Sequence, residues 1–166
     1  MSCLKLFDVS SKAALVTGGS KGLGKSMARA LALAGADVVI SSRHQDELER
    51  ALPDILAGTN RRGVAIVADL SKRDEAERLG KAAIEKLGRI DILVNNAGTN
   101  IPQPVDQMKD DDWDSVLTLN LTACMALTRA FDRASRHGLN ARSPVFTLKL
   151  SPDHRKEHTV HRSCRS

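Results

Sequence analysis

Residues 17–24 read Thr-Gly-Gly-Ser-Lys-Gly-Leu-Gly and directly follow the apolar run 13–16. A glycine-rich turn between a strand-like run and a helix-like one is suited to gripping a phosphate. Gly18 permits the tight turn, Gly22 lets the backbone approach a pyrophosphate, and Gly24 lets the following helix pack closely on a sheet. Free N–H groups and the positive end of that helix would then face the anion. Thr17, Ser20, Lys21 and Leu23 complete the candidate phosphate-side set.

About 20 residues further on lies the position that reads the adenosine ribose. An acid there would bind the 2′-hydroxyl of NAD, whereas an arginine would accept the 2′-phosphate of NADP. The stretch is Ile40-Ser41-Ser42-Arg43, with hydroxyls and a guanidinium but no acid. The basic pair Lys21 and Arg43, with the Ser42 hydroxyl beside it, suits NADP(H) in preference to NAD(H).

The elements that must position these residues are legible as alternating short apolar runs and helical periods. Residues 13–16 read as a buried strand, and 37–41, 64–67 and 90–94 as three further strands. Leu23, Met27, Ala30, Leu31 and Ala34 recur at helical spacing, and Gly35 is placed to end that helix. A second helix carries Leu48, Ala51, Leu52, Ile55 and Leu56, with a kink or restart expected at Pro53. Ser71 is expected to cap a third, with Asp74 in the capping-box position and Ala76, Leu79, Ala83 and Leu87 inward. A fourth runs from about residue 111 to 130, with Trp113, Val116, Leu117, Asn120, Leu121, Cys124 and Leu127 on one face. Such alternation implies right-handed βαβ crossovers and a parallel sheet.

Three more sites agree with the spacing of the glycines, which is G-x-x-x-G-x-G. Asn95-Asn96-Ala97-Gly98 follows the fourth strand, Asp69-Leu70 follows the third, and Asn120 lies on the last helix. In this combination the chain resembles the short-chain dehydrogenase/reductase family over about residues 8–130. The resemblance implies a Rossmann-type doubly wound sheet, with expected strand order 3-2-1-4, and hydride exchange between an alcohol or carbonyl substrate and NAD(P)(H). It implies that Asp69 and Leu70 lie at the adenine and that Asn96, Ala97 and Gly98 belong to the cofactor site. It also makes Asn120 the matched member of a catalytic tetrad.

The rest of that tetrad is missing from these residues. Reducing a carbonyl leaves an oxyanion that must take a proton, and the family uses a tyrosine in Y-x-x-x-K beside a polarising serine. The sequence contains no tyrosine. Ser143, Ser151 and Lys156 sit in no matching motif, so no role is carried onto them.

Composition explains where the resemblance stops. Residues 1–130 carry equal numbers of basic and acidic side chains, so the net charge of +5 belongs to residues 131–166, with four of the five histidines. The expected division is a partial Rossmann domain over 1–130 and a divergent basic tail over 131–166, with residues 145–150 its one candidate strand. His154, His158, His161 and Cys164 are competent zinc-ligand types, but the surrounding Arg and Lys oppose a cation, and no metal site is expected. Nor does the tail interleave aromatics with its charge, which argues against a nucleic-acid module.

Three unpaired-looking cysteines, Cys3, Cys124 and Cys164, suit reduced thiols in a cytoplasmic setting. No run is long enough to span a membrane, and the start lacks the pattern of a signal peptide. The favoured reading is a truncated or frame-disrupted family member, truncated after about four strands, that keeps dinucleotide binding but is catalytically impaired. An exposed edge at the fourth strand would then invite self-association. The alternatives are an intact NADP-dependent oxidoreductase and a non-enzymatic protein that uses the dinucleotide site or the basic tail.

Overall fold

The computed structural model describes residues 8–136. Four strands form one parallel sheet: β1 (Ala13–Thr17), β2 (Asp37–Ser42), β3 (Gly63–Val67) and β4 (Ile92–Val94). Their spatial order is β3-β2-β1-β4, the order the family resemblance implies. The helices α1 (Gly22–Leu33), α2 (Gln45–Leu56) and α3 (Arg73–Leu87) follow β1, β2 and β3 in turn. After β4 come a 3₁₀ turn at Val105–Gln107, α4 (Asp110–Leu117), a π turn at Thr118–Thr122 and α5 (Ala123–Arg136).

Every side chain of β1 is buried, because successive residues point into cores on opposite faces of the sheet. Ala14, Val16, Val38 and Ile40 meet Ala28 and Ala32 of α1 and Leu48, Ala51 and Ile55 of α2. Ala13, Leu15, Val39 and Leu93 face the other way, into a core with Leu79 and Ala83 of α3 and Leu127 and Phe131 of α5. Each fully buried leucine or isoleucine contributes roughly 1.5–3 kcal/mol, so the two cores hold the sheet between two helix layers.

The ends of β1 are tied differently. At its start, the buried Asp91 accepts a hydrogen bond from the Ala13 N–H at 3.0 Å, while its own N–H donates to the Ala13 carbonyl at 2.7 Å. The Arg89 guanidinium closes on the same carboxylate, and the Lys12 ammonium stands 3.9 Å away. At its end, β1 runs into the glycine turn.

Several local expectations change. α1 does stop at Gly35, whose φ of +101° suits glycine, and the Ala36 N–H reaches back to the Leu31 carbonyl at 3.0 Å. At Pro53 α2 continues without the restart that was one of the two expected outcomes. Proline forfeits one N–H, but Leu48, Ala51 and Ile55 pin both parts of the helix to the sheet. Nor does Ser71 cap α3, which begins at Arg73 without a side-chain cap; Ser71 donates to Asp69 instead.

Trp113 and Leu121 are more than half exposed, off the buried face of α5. The π turn inserts an extra residue, which rotates α4 by about 100° relative to α5 and breaks the single face the spacing suggested. α5 itself runs past residue 130 to Arg136. Residues 145–150, His154, His158, His161 and Cys164 lie outside the described residues.

Candidate functional site

The candidate site lies at the carboxyl end of the parallel strands, where an open α/β sheet receives its ligand. Its foundation is Thr17, which is buried at the end of β1. The Thr17 hydroxyl accepts from the Asn96 and Ala97 N–H groups at 3.0 and 2.9 Å and donates to the Val94 carbonyl at 3.3 Å. One hydroxyl thus uses its donor and both acceptor positions to join β1 to the loop after β4. The Asn96 amide closes the join from the other side, donating to the carbonyls of Thr17 at 2.9 Å and Gly18 at 3.2 Å.

This clamp dictates which glycines are required. A Cβ on Gly24 would stand 2.2 Å from the Gly18 carbonyl oxygen and 2.5 Å from Asn96 Nδ2, so only glycine fits there. Gly22 is the opposite case. Its φ is +54°, and a Cβ built there would meet nothing within 4 Å. Gly24 is closed against protein, while Gly22 opens outward at the head of α1. No acid occupies the first turn of α1, so its positive end is not neutralised from within. A backbone open at that point fits the close approach of a pyrophosphate.

Beside the glycine turn stands a residue that the motifs do not reveal. The Ser20 hydroxyl donates to Glu47 Oε2 at 2.8 Å, and the Lys21 ammonium lies 3.1 Å from Glu47 Oε1. The Ser20 hydrogen bond, then Lys21, hold the Glu47 carboxyl below the usual carboxylate range. Glu47 comes from the first turn of α2, more than 20 residues away in sequence, so no local pattern announces it. The Gly19 N–H donates to the Ser41 carbonyl at 3.0 Å, which sets the glycine turn against the end of β2.

Beside that contact, Ser42 Oγ accepts from the His44 N–H at 3.2 Å, and Arg43 is exposed. Asp69 accepts from both the hydroxyl and the N–H of Ser71, at 2.7 and 3.2 Å. The Ser71 hydroxyl is the main reason its carboxyl sits below the ordinary value, and the charge of Arg43 adds to the effect. Leu70 is buried in the core beneath, while Leu23 is nearly half exposed on α1.

Asn120 is joined to this surface through the loop after β4. Its Oδ1 accepts from the Thr99 N–H at 3.1 Å, and its Nδ2 donates to the Thr99 carbonyl at 2.9 Å. A Cβ on Gly98 would lie 2.7 Å from Asn120 Oδ1, so the chain passes close to the amide. The π turn that holds Asn120 is a departure from α geometry of the kind often found at functional sites. The fold therefore strings Thr17, Gly18, Asn96, Ala97, Gly98 and Asn120 along one connected surface. Among the described residues, no group of three or more His, Cys, Asp or Glu side chains could hold a metal ion. None of the described helices is long and apolar enough to cross a membrane.

Known proteins resemble this chain. The chain is 39% identical over 116 residues to a hydroxynaphthalene reductase-like protein of Metarhizium guizhouense, covering 70% of this chain and 43% of that protein. It is 35% identical over 147 residues to 3beta-hydroxysteroid dehydrogenase 1 of Eggerthella lenta, covering 89% of this chain and 55% of the relative. The chain thus spans about half the length of the curated relatives it matches. A metagenomic short-chain oxidoreductase solved in complex with NADP superposes with a TM-score of 0.75 at 32% identity, over 84% of this chain and 62% of the other. The match to the short chain dehydrogenase family covers residues 12–138, from before β1 to beyond α5 and hence past residue 130, and on that span the chain belongs to this family.

Proposed function

We propose that these residues form the dinucleotide-binding part of an oxidoreductase that works between an alcohol and a carbonyl, using NADP(H) in preference to NAD(H). The observation that carries the reading is the open backbone at Gly22, facing outward from a turn that Thr17 and Asn96 hold in place. Gly18, Gly22 and the head of α1 would hold the pyrophosphate. Ser42, Arg43 and Lys21 would face the adenosine ribose, with Asp69 and Leu70 toward the adenine and Asn96, Ala97 and Gly98 flanking the cofactor. The NADP-bound relative supports this choice of ligand. When bound, a nicotinamide supplies or accepts the hydride.

Asn120 is a positioning residue in this account, because both polar ends of its amide hold the Thr99 backbone. The proton that a product oxyanion needs has no phenolic donor in these 166 residues. Proton transfer from a placed side chain is worth roughly 10²–10⁴-fold in rate. The chain by itself is therefore expected to bind the dinucleotide without appreciable turnover. The substrate class is a small alcohol or carbonyl compound, and the setting suggested by the cysteines is the cytosol. β4 ends the sheet among the described residues, and we expect self-association through that edge. The test is NADPH oxidation by the purified chain with ring ketones and 3-oxoacyl thioesters. A rate at background supports the reading, and clear NADPH-dependent turnover overturns its catalytic part.

A further inference from the structure

Glu47 sets a negative charge against the lysine that the dinucleotide reading needs free. The adenosine ribose of a bound dinucleotide is read at the end of the second strand, here Ser41 to Arg43. The glycine turn leans on that same strand end through the Gly19–Ser41 hydrogen bond. Ser20 and Lys21 are the next residues of the turn, and each already has a partner in Glu47, at 2.8 and 3.1 Å. A 2′-phosphate seated by Lys21 and Arg43 would have to draw the Lys21 ammonium from this carboxylate, and to tolerate the carboxylate charge, which then keeps the Ser20 hydroxyl as its partner. The non-phosphorylated dinucleotide meets neither obstacle, since a 2′-hydroxyl needs no cation.

A purely structural explanation also exists. An acid in the first turn of α2 is favoured by the helix dipole, and an ion pair whose lysine is 78% exposed contributes little to stability. That explanation accounts for Glu47 being an acid. It gives no reason for both oxygens to point away from α2 at two neighbouring residues of the phosphate turn.

Resting on the proposed dinucleotide site, we propose that Glu47 is a specificity-determining residue: it latches Ser20 and Lys21 and restrains the preference for a 2′-phosphorylated dinucleotide over a non-phosphorylated one. The closing test is a titration of the full chain with NADPH and with NADH, for the wild type, Glu47→Gln, Lys21→Met and the double variant. Glutamine keeps an acceptor for Ser20 but releases Lys21. Glu47→Gln is expected to raise the NADPH-to-NADH affinity ratio about fivefold, the scale of one partly solvated charge pair. Lys21→Met is expected to lower that ratio, and in its background Glu47→Gln should give less than half its usual gain. If all variants bind both dinucleotides and Glu47→Gln leaves the ratio within twofold of wild type, or lowers it, the latch is wrong while the site stands. If none of the four binds either dinucleotide, the site and the latch fall together.

Discussion

The two ends of β1 solve opposite problems with different chemistry. At the amino end, a buried carboxylate, Asp91, gathers a backbone N–H, a guanidinium and an ammonium, and a charge is the centre of the structure. At the carboxyl end no charge is buried; Thr17 and the Asn96 amide hold backbone to backbone, and glycine supplies the space. The amino end is closed and serves the fold. The carboxyl end is equally fixed beneath but keeps one outward face, at Gly22. A phosphate site gains from that arrangement, since a buried countercharge already in place would compete with the ligand.

Substitutions at the two ends should separate stability from binding. Asp91→Ala is expected to have the largest effect on stability, about 3 kcal/mol, because it strands the Ala13 N–H and uncouples Arg89. Chemical denaturation should show it, with dinucleotide affinity in the folded fraction unchanged. Gly24→Ala comes next, at about 2 kcal/mol, since the new methyl group overlaps backbone that cannot retreat; here affinity should fall as well. Gly22→Ala should cost only about 1 kcal/mol for its left-handed φ, yet weaken NADPH binding at least tenfold by filling the open face. If Gly22→Ala binds as the wild type does, the outward face is not where the phosphate sits.

The smallest effect concerns pH and lies away from both ends. Arg78 holds Glu75 with two hydrogen bonds, and the Glu75 carboxyl is lowered to about 2, chiefly by that contact. A carboxyl whose value is depressed on folding binds fewer protons in the native state than in the unfolded one. Its stabilisation is therefore full above the ordinary carboxylate value and is lost as pH falls toward about 2. The stability difference between the wild type and Glu75→Gln should shrink steadily from pH 5 to pH 3 in urea titrations. A difference that is constant over that range would rule out this contribution.

Much of this was legible in the sequence, for physical reasons. The four strands follow from short apolar runs that alternate with helical periods, which imply a parallel sheet between helix layers, and their order follows from the family resemblance. The glycine turn could be read because backbone geometry leaves glycine no substitute at Gly24. What escaped the reading depends on partners distant in sequence or on a change of helical period. Glu47 meets Ser20 and Lys21 across the α1–α2 face, and no spacing rule predicts it. Ser71 looked like a cap, but the nearer Asp69 carboxylate took its hydroxyl. Trp113 and Leu121 were placed inward on a constant helical period, which the π turn around Asn120 breaks.

The central claim is that the surface at Gly22 holds a dinucleotide, and calorimetric titration of the purified chain with NADPH tests it most directly. Saturable binding of one NADPH per chain is expected, tighter than NADH and weakened at least tenfold by Gly22→Ala. Titration of the folded wild-type chain without saturable heat would contradict it.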